Sequence, residues 1–377
     1  MIDRPKRVLV SNEFYELYRG EKDFEIPRLI RLEMGCDVTV LVPTCLSRLD
    51  EDAGFRFDPE TFRRKLEPDG VHVEFFRGWA RVRRTHNKTV PYLIPSPIDY
   101  LRALGRIRPE VIVESIFTTL TPRSHLNHAY ARLTGTRRIL MDSGDVGRIR
   151  RLFPFERSAI RQATAIFTYS PGGAERIRGK YGLGESPPVH VHYKALPEGR
   201  FHFDESCFDR TRLVVGYVGR LLKAKGFDRF IEVAGRLSDR AKFVVAGVNE
   251  DQFQMPSSVR YDGVVPNERL AGLYSEIDVL VVPDLTEYRS FPTVAQESLL
   301  CGSVLMVGSA SRTMFPDDRY VEWCDPSEVE DLARRLEALA ARPRPSILEL
   351  RREVAAYYAK RARADAVIRD LTTAFSA

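Results

Sequence analysis

The chain has 377 residues, 44% hydrophobic and 29% charged, a globular composition too long for one ordinary core, so two domains of about 150–200 residues each are expected. No run of about 18 apolar residues occurs, which argues against a spanning helix, and the apolar run after the basic start MIDRPKRVLV is too short for a signal peptide. The five cysteines form no CxxC pair and are odd in number, so reduced thiols and a cytoplasmic location are expected.

The first strand is expected in RVLVS (7–11). A helix over roughly 24–34 follows, provided that Pro27 sits in its first turn, and CDVTVLVP (36–43) reads as the second strand. VHVEFFR (71–77), EVIVES (110–115), RRILMDS (137–143) and AIFTYS (165–170) read as further strands. PIDYLRALGRI (97–107) and SHLNHAYARLTG (124–135) read as helices between them. Short β-rich runs without polar alternation, separated by helices, predict a parallel sheet covered on both faces.

Residues 182–205 contain Pro187-Pro188 and scattered glycines and read as a linker. A second α/β series then runs through strands at 213–219, 242–247, 258–263, 278–283 and 303–309, with helices at 227–237, 267–277 and from about Thr293. Capping boxes are read at Ser327–Glu330 and Ser346–Glu349. The expected class is therefore α/β, two Rossmann-like doubly wound domains facing each other across a cleft. The expected division is 1–190, a linker at 191–206, 207–345, and a C-terminal helix over 346–377 that returns to the first domain. Ligands in such folds bind at the carboxyl ends of the strands.

Charge is unevenly spread over this plan. Of a net +6, residues 1–200 carry 34 basic against 25 acidic side chains, and 76–180 alone carry 20 against 7. A basic field on the first domain suits an anionic partner: a phosphate-bearing substrate, an acidic lipid surface or a nucleic acid. The competing account is an arginine-rich coding background that uses Arg for solubility. Nucleic acid is set aside because the basic stretch lacks aromatic interleaving and any reader motif. Peripheral contact with the inner face of a membrane stays as an expectation, tested by salt-sensitive vesicle binding.

Two stretches can carry chemistry. In GRLLKAKGFDRF (219–230), Arg220 and Lys225 lie beyond the first strand of the second domain, where a guanidinium fork and a mobile ammonium could clamp a diphosphate. The alternative is a solvated basic loop. In DLTEYRSFPTVAQESLLCG (284–302), the helix beginning near Thr293 offers main-chain donors to phosphate, and Glu297 one turn inside offers an acceptor for ribose hydroxyls. The alternative for Glu297 is an interaction with the helix dipole.

The blocks GRLLKAKG (219–226), FVVAG (243–247), YDGVVPNERLAGLYSEIDVLVVPD (261–284) and SFPTVAQESLLCGSVLMV (290–307), with TYSPGGAERIRGKYG (168–182) before them, resemble the retaining glycosyltransferases of family 4, which have the GT-B architecture. The resemblance implies transfer of a sugar from a nucleotide diphospho-sugar to an acceptor hydroxyl with retention of configuration and no obligatory metal or cofactor. The acceptor is left open, an anionic or lipid-linked one included.

Residue by residue, the resemblance puts the diphosphate on Arg220 and Lys225 beside Gly219, and the base near Gly263, Val264 and Val265. It puts the ribose on Glu297 and further phosphate contacts on Ser290, Phe291, Pro292, Thr293 and Val294. The family's first glutamate would fall at Arg289, with Glu287 two residues earlier. Either Glu287 enters a reshaped loop, Arg289 faces an acidic or phosphorylated donor group, or donor-sugar catalysis is lost. The family's first-domain histidine would fall near residues 141–145, where Asp142 is the nearest polar candidate for base work. His125 and His128 read as capping or surface positions. The alternative function is a noncatalytic sugar-nucleotide-binding or scaffold protein of the same fold.

Overall fold

The computed structural model describes residues 7–11, 21–44, 60–85, 88–116, 122–142, 156–284, 291–325, 328–361 and 364–376. The chain forms two compact units, one of residues 1–196 with 364–377 and one of residues 197–363.

The first unit runs β1 (Arg7–Ser11), α1 (Glu21–Leu32), β2 (Asp37–Pro43), α2 (Glu60–Leu66), β3 (His72–Phe76), β4 (Gly78–Thr85), β5 (Lys88–Pro95), α3 (Pro97–Ile107), β6 (Val111–Ile116), α4 (Pro122–Thr134), β7 (Arg137–Asp142), α5 (Glu156–Arg161), β8 (Ala165–Thr168), α6 (Pro171–Tyr181) and β9 (Val189–Val191). Among the described residues its main sheet has seven parallel strands in the order β3-β2-β1-β6-β7-β8-β9. The order reverses between β1 and β6, where Val8 aligns with both Val38 and Val111. Val8, Val38, Val111 and Ile139 are fully buried, as strands covered on both faces require.

β4 and β5 form a separate antiparallel ribbon, Trp79 opposite Ile94 and Arg83 opposite Val90. Sequence reading treats this stretch only as a basic run, because arginines occupy positions where a strand usually alternates with apolar residues. Pro27 also departs from expectation. It is the seventh residue of α1 rather than a first-turn residue. Burial of Phe24, Ile26 and Ile30 against the sheet outweighs the backbone hydrogen bond that the proline removes.

The second unit runs β10 (Leu213–Val218), α7 (Phe227–Arg236), β11 (Ala241–Ala246), β12 (Val259–Tyr261), α8 (Leu270–Glu276), β13 (Val279–Val282), α9 (Thr293–Leu300), β14 (Val304–Gly308), β15 (Val321–Cys324), α10 (Val329–Ala340) and α11 (Arg344–Arg361). Its six described strands are parallel in the order β12-β11-β10-β13-β14-β15. The switch point falls between β10 and β13, with Val215 beside both Phe243 and Val279.

The C-terminal helical stretch is two helices. α11 stays with the second unit: Ile347 and Leu348 join its core, and buried Arg351 reaches Asp278 Oδ1 at 3.1 Å and the carbonyls of Tyr274, Cys301 and Gly302. α12 (Ala364–Ser376) belongs to the first unit, where Val367, Leu371 and Phe375 pack in the core with Phe24 and Ile30. Full burial of side chains such as Leu371 and Phe375 stabilises by about 1.5–3 kcal/mol each. Of the two expected capping boxes, the one at Ser346 is not seen. Ser327 lies outside the described residues, and Ser346 is inside α11, with its hydroxyl on the Pro343 carbonyl.

Candidate functional site

The second unit's switch point assembles the site from the loops that leave β10, β11, β12 and β13. Beyond β10, the backbone of Gly219 donates to Ala246 O at 2.9 Å and that of Leu221 to Val248 O at 2.9 Å. Gly247 donates to Gly263 O at 2.7 Å, so the carboxyl ends of β10, β11 and β12 are joined by main-chain bonds. Lys223–Lys225 then makes a 3₁₀ turn that ends on Gly226 at φ +70°. A methyl group on Gly226 would lie 2.2 Å from the Pro283 carbonyl oxygen, so glycine lets the cationic loop touch the end of β13.

Arg220 is half-buried. Its carbonyl accepts from the buried Tyr217 hydroxyl at 2.9 Å, and its Nη1 faces Glu250 Oε1 at 3.4 Å. Burial, and next the charge of Asp284, raises the Tyr217 phenol above its ordinary range, which keeps it a donor to Arg220. Lys225 is half-buried five residues on. Val264, at the carboxyl end of β12, is 69% exposed, an apolar surface held out beside Gly263 and the half-buried Val265.

Across the switch point, α9 presents one face. Thr293 and Glu297, one turn apart, are half-buried, whereas Ala295, Gln296, Ser298 and Leu299 are buried. Glu297 Oε2 accepts from the hydroxyl of Tyr274, a fully buried residue of α8, at 2.9 Å. Cys301, which follows α9, is pushed up to about 12 by burial and is no nucleophile at neutral pH.

The structure shows how two of the expected contact residues of this helix start are placed. Phe291 is 1% exposed and packs edge-on against Phe315 with ring centroids 5.0 Å apart, so its side chain belongs to the core. Pro292 is buried at the N-cap and carries no N–H, so the first main-chain N–H groups of α9 are those of Thr293 and Val294. Glu287, Arg289 and Ser290 lie outside the described residues.

In the first unit Asp142 ends β7. It is 1% exposed and accepts from Thr168 Oγ1 at 3.2 Å, beneath the start of α6 where Ser170 Oγ caps Gly173 N at 3.1 Å. This bond ties the end of β7 to the end of β8. His128 is no cap: it is half-buried with Nδ1 3.1 Å from Arg138 Nη1, and burial plus that cation lowers it to about 4. Arg138 in turn is paired with buried Glu114, whose other oxygen accepts from Asn127. Sequence reading missed this network, and it missed Tyr274, because nothing in a linear pattern shows which buried polar groups will meet.

Residues 212–342 match the family model described as Glycosyl transferases group 1. A 2-deoxystreptamine glucosyltransferase of Streptomyces kanamyceticus is 26% identical over 221 residues, which is 52% of this chain and only 56% of that relative. The structure of Anabaena Alr3699/HepE in complex with UDP-glucose superposes with a TM-score of 0.64 at 13% identity, over 98% of this chain and 99% of that one. The structure of TarM superposes with a TM-score of 0.67 at 8% identity, over 98% of this chain and 99% of that one. The fold is GT-B, two parallel-sheet Rossmann-like domains.

Proposed function

We propose that this chain is a glycosyltransferase that takes a sugar from a nucleotide diphospho-sugar and delivers it to an acceptor hydroxyl with retention of configuration. The observation that carries the reading is that, inside the segment matched by the family model, Gly226 brings the Arg220/Lys225 loop against the carboxyl end of β13, the strand that leads to α9, whose half-buried positions include Thr293 and Glu297. In this reading the base rests on Gly263–Val265, the ribose hydroxyls on Glu297, and the diphosphate on Arg220, Lys225 and the amides of residues 293 and 294.

Charge grows on the diphosphate as the glycosidic bond breaks. A guanidinium and an ammonium already held there stabilise that charge more than the ground state. Arg220 is suited to this because the peptide that follows it is held at both its polar atoms, by the Tyr217 hydroxyl at the Arg220 carbonyl and by the Leu221 N–H on the Val248 carbonyl. Catalytic work by Glu287 or Arg289 on the donor sugar remains part of the proposal and follows from resemblance alone.

The test is a thermal-shift screen of nucleotide sugars, begun with UDP-glucose because the Anabaena relative is complexed with it, followed by a transfer assay with the donor found. Wild type is expected to transfer, and Arg220→Ala and Lys225→Ala to lose about two orders of magnitude or more. Full turnover in both variants would overturn the clamp, and donor binding without transfer to any acceptor would favour a noncatalytic binder.

A further inference from the structure

We propose that two adjacent acids, Glu250 and Asp251, tune nucleotide retention at the Arg220 loop in opposite directions, Asp251 by building the loop and Glu250 by competing for its cation. The inference rests on the reading of Arg220 and Lys225 as a diphosphate clamp.

The loop after β11 is closed on itself: Asn249 Oδ1 accepts from Phe253 N at 2.8 Å and its Nδ2 donates to Phe253 O at 2.9 Å. Phe253 is anchored edge-on against buried Phe227, with ring centroids 5.0 Å apart. The position of the two acids between these anchors is therefore set by packing, independently of any ligand.

Asp251 Oδ2 accepts from the backbone N–H of Lys223 at 2.7 Å. Lys223 opens the 3₁₀ turn that carries Lys225, and the residue at the turn's N-cap, Leu222, has no side chain able to take that hydrogen bond. A carboxylate from a different loop thus supplies the missing cap. Asp251 is a positioning residue.

Glu250 does the reverse. Both of its oxygens lie 3.4–3.5 Å from Arg220 Nη1, longer than a well-made charge-assisted bond, and both side chains are partly open to solvent. A diphosphate that binds Arg220 has to displace this carboxylate, and the carboxylate returns when the diphosphate leaves. Glu250 consequently weakens retention of the nucleoside diphosphate product, which shortens the step that often limits turnover in enzymes with closing sites.

The experiment is calorimetric titration with UDP, ADP, GDP and dTDP, on wild type, Glu250→Gln, Asp251→Ala, Asp251→Asn and Arg220→Ala, each checked for folding by circular dichroism. Glu250→Gln is expected to bind the preferred diphosphate about two- to fivefold more tightly, with the gain shrinking at high salt. Asp251→Ala is expected to bind about three- to tenfold more weakly, and Asp251→Asn, which keeps an acceptor, to restore affinity. Unchanged or weakened binding by Glu250→Gln overturns the competitor role, and unchanged binding by Asp251→Ala overturns the positioning role. Arg220→Ala separates the two levels. If it binds like wild type, or if wild type binds none of the four, the clamp itself falls; if it loses binding while both acid variants behave like wild type, only this inference falls.

Discussion

The hydroxyl of Tyr274 donates to Glu297 Oε2 at 2.9 Å, and Tyr274 itself is fully buried while Glu297 is half open. One carboxylate oxygen is therefore held from inside the protein. With Glu297 holding the donor ribose as proposed, Tyr274→Phe is expected to raise donor KM about three- to tenfold with little change in kcat, because the lost bond would orient a group that binds donor and transition state alike. A fall in kcat at constant KM, read from initial rates, would contradict that role.

Gly226 and Gly263 both have φ near +65–70° but differ in surroundings. A Cβ on Gly263 meets nothing within 4 Å, whereas one on Gly226 strikes the Pro283 carbonyl at 2.2 Å. Gly263→Ala is expected to cost about 1–2 kcal/mol from the left-handed backbone alone. Gly226→Ala adds overpacking and should cost about 2–5 kcal/mol, while it also parts the two loops of the site. Urea unfolding compares the two midpoints, and equal losses would refute the contact.

Arg351 and Arg352 are neighbours on α11 with opposite energetic roles. Arg351 is fully buried on Asp278 and three carbonyls, whereas Arg352 is 48% exposed on Glu205. Arg351→Met is expected to destabilise by about 3 kcal/mol, since Asp278 keeps Arg344 at 2.8 Å as a second partner. Arg352→Ala should leave the denaturation midpoint where it is. A small effect at Arg351 would mean that the carbonyls find other donors.

Acid should destabilise the first unit through His192. The ring is 4% exposed among Phe167 and Tyr169, and burial lowers it to about 4 against the opposing pull of its Nδ1 contact with Tyr193 O. The unfolded chain takes up a proton near pH 6.5 and the folded one only near 4. Stability from this residue is therefore complete above about pH 6.5 and is lost as pH falls toward 4, on the order of 3 kcal/mol in all. His128 shifts in the same direction and adds to the loss. His192→Phe should flatten the stability profile between pH 7 and 5; an unchanged slope would assign the acid sensitivity to other groups.

Strands with continuous apolar runs, such as VLVV in β13, announced both sheets, because parallel strands covered on two faces need no polar alternation. The candidate positions were also legible: Arg220 and Lys225 as a basic loop just beyond a readable strand, and Glu297 as an acid one turn inside a readable helix start. The paired ribbon of β4 and β5 was not legible, since its arginines hide a strand pattern in a charge run.

What the sequence determined by itself, then, is the succession of elements, two sheets' worth of strands and the residue types at the strand ends. Which ends meet was decided by tertiary structure. Gly226 and Pro283, far apart in the chain, become neighbours only because the sheet order reverses between β10 and β13, and because Gly226 lets backbone approach backbone there. Likewise the buried partners, Tyr274 for Glu297, Thr168 for Asp142 and Asp278 for Arg351, follow from packing, which obliges every polar group taken out of water to find whichever partner the fold brings to it.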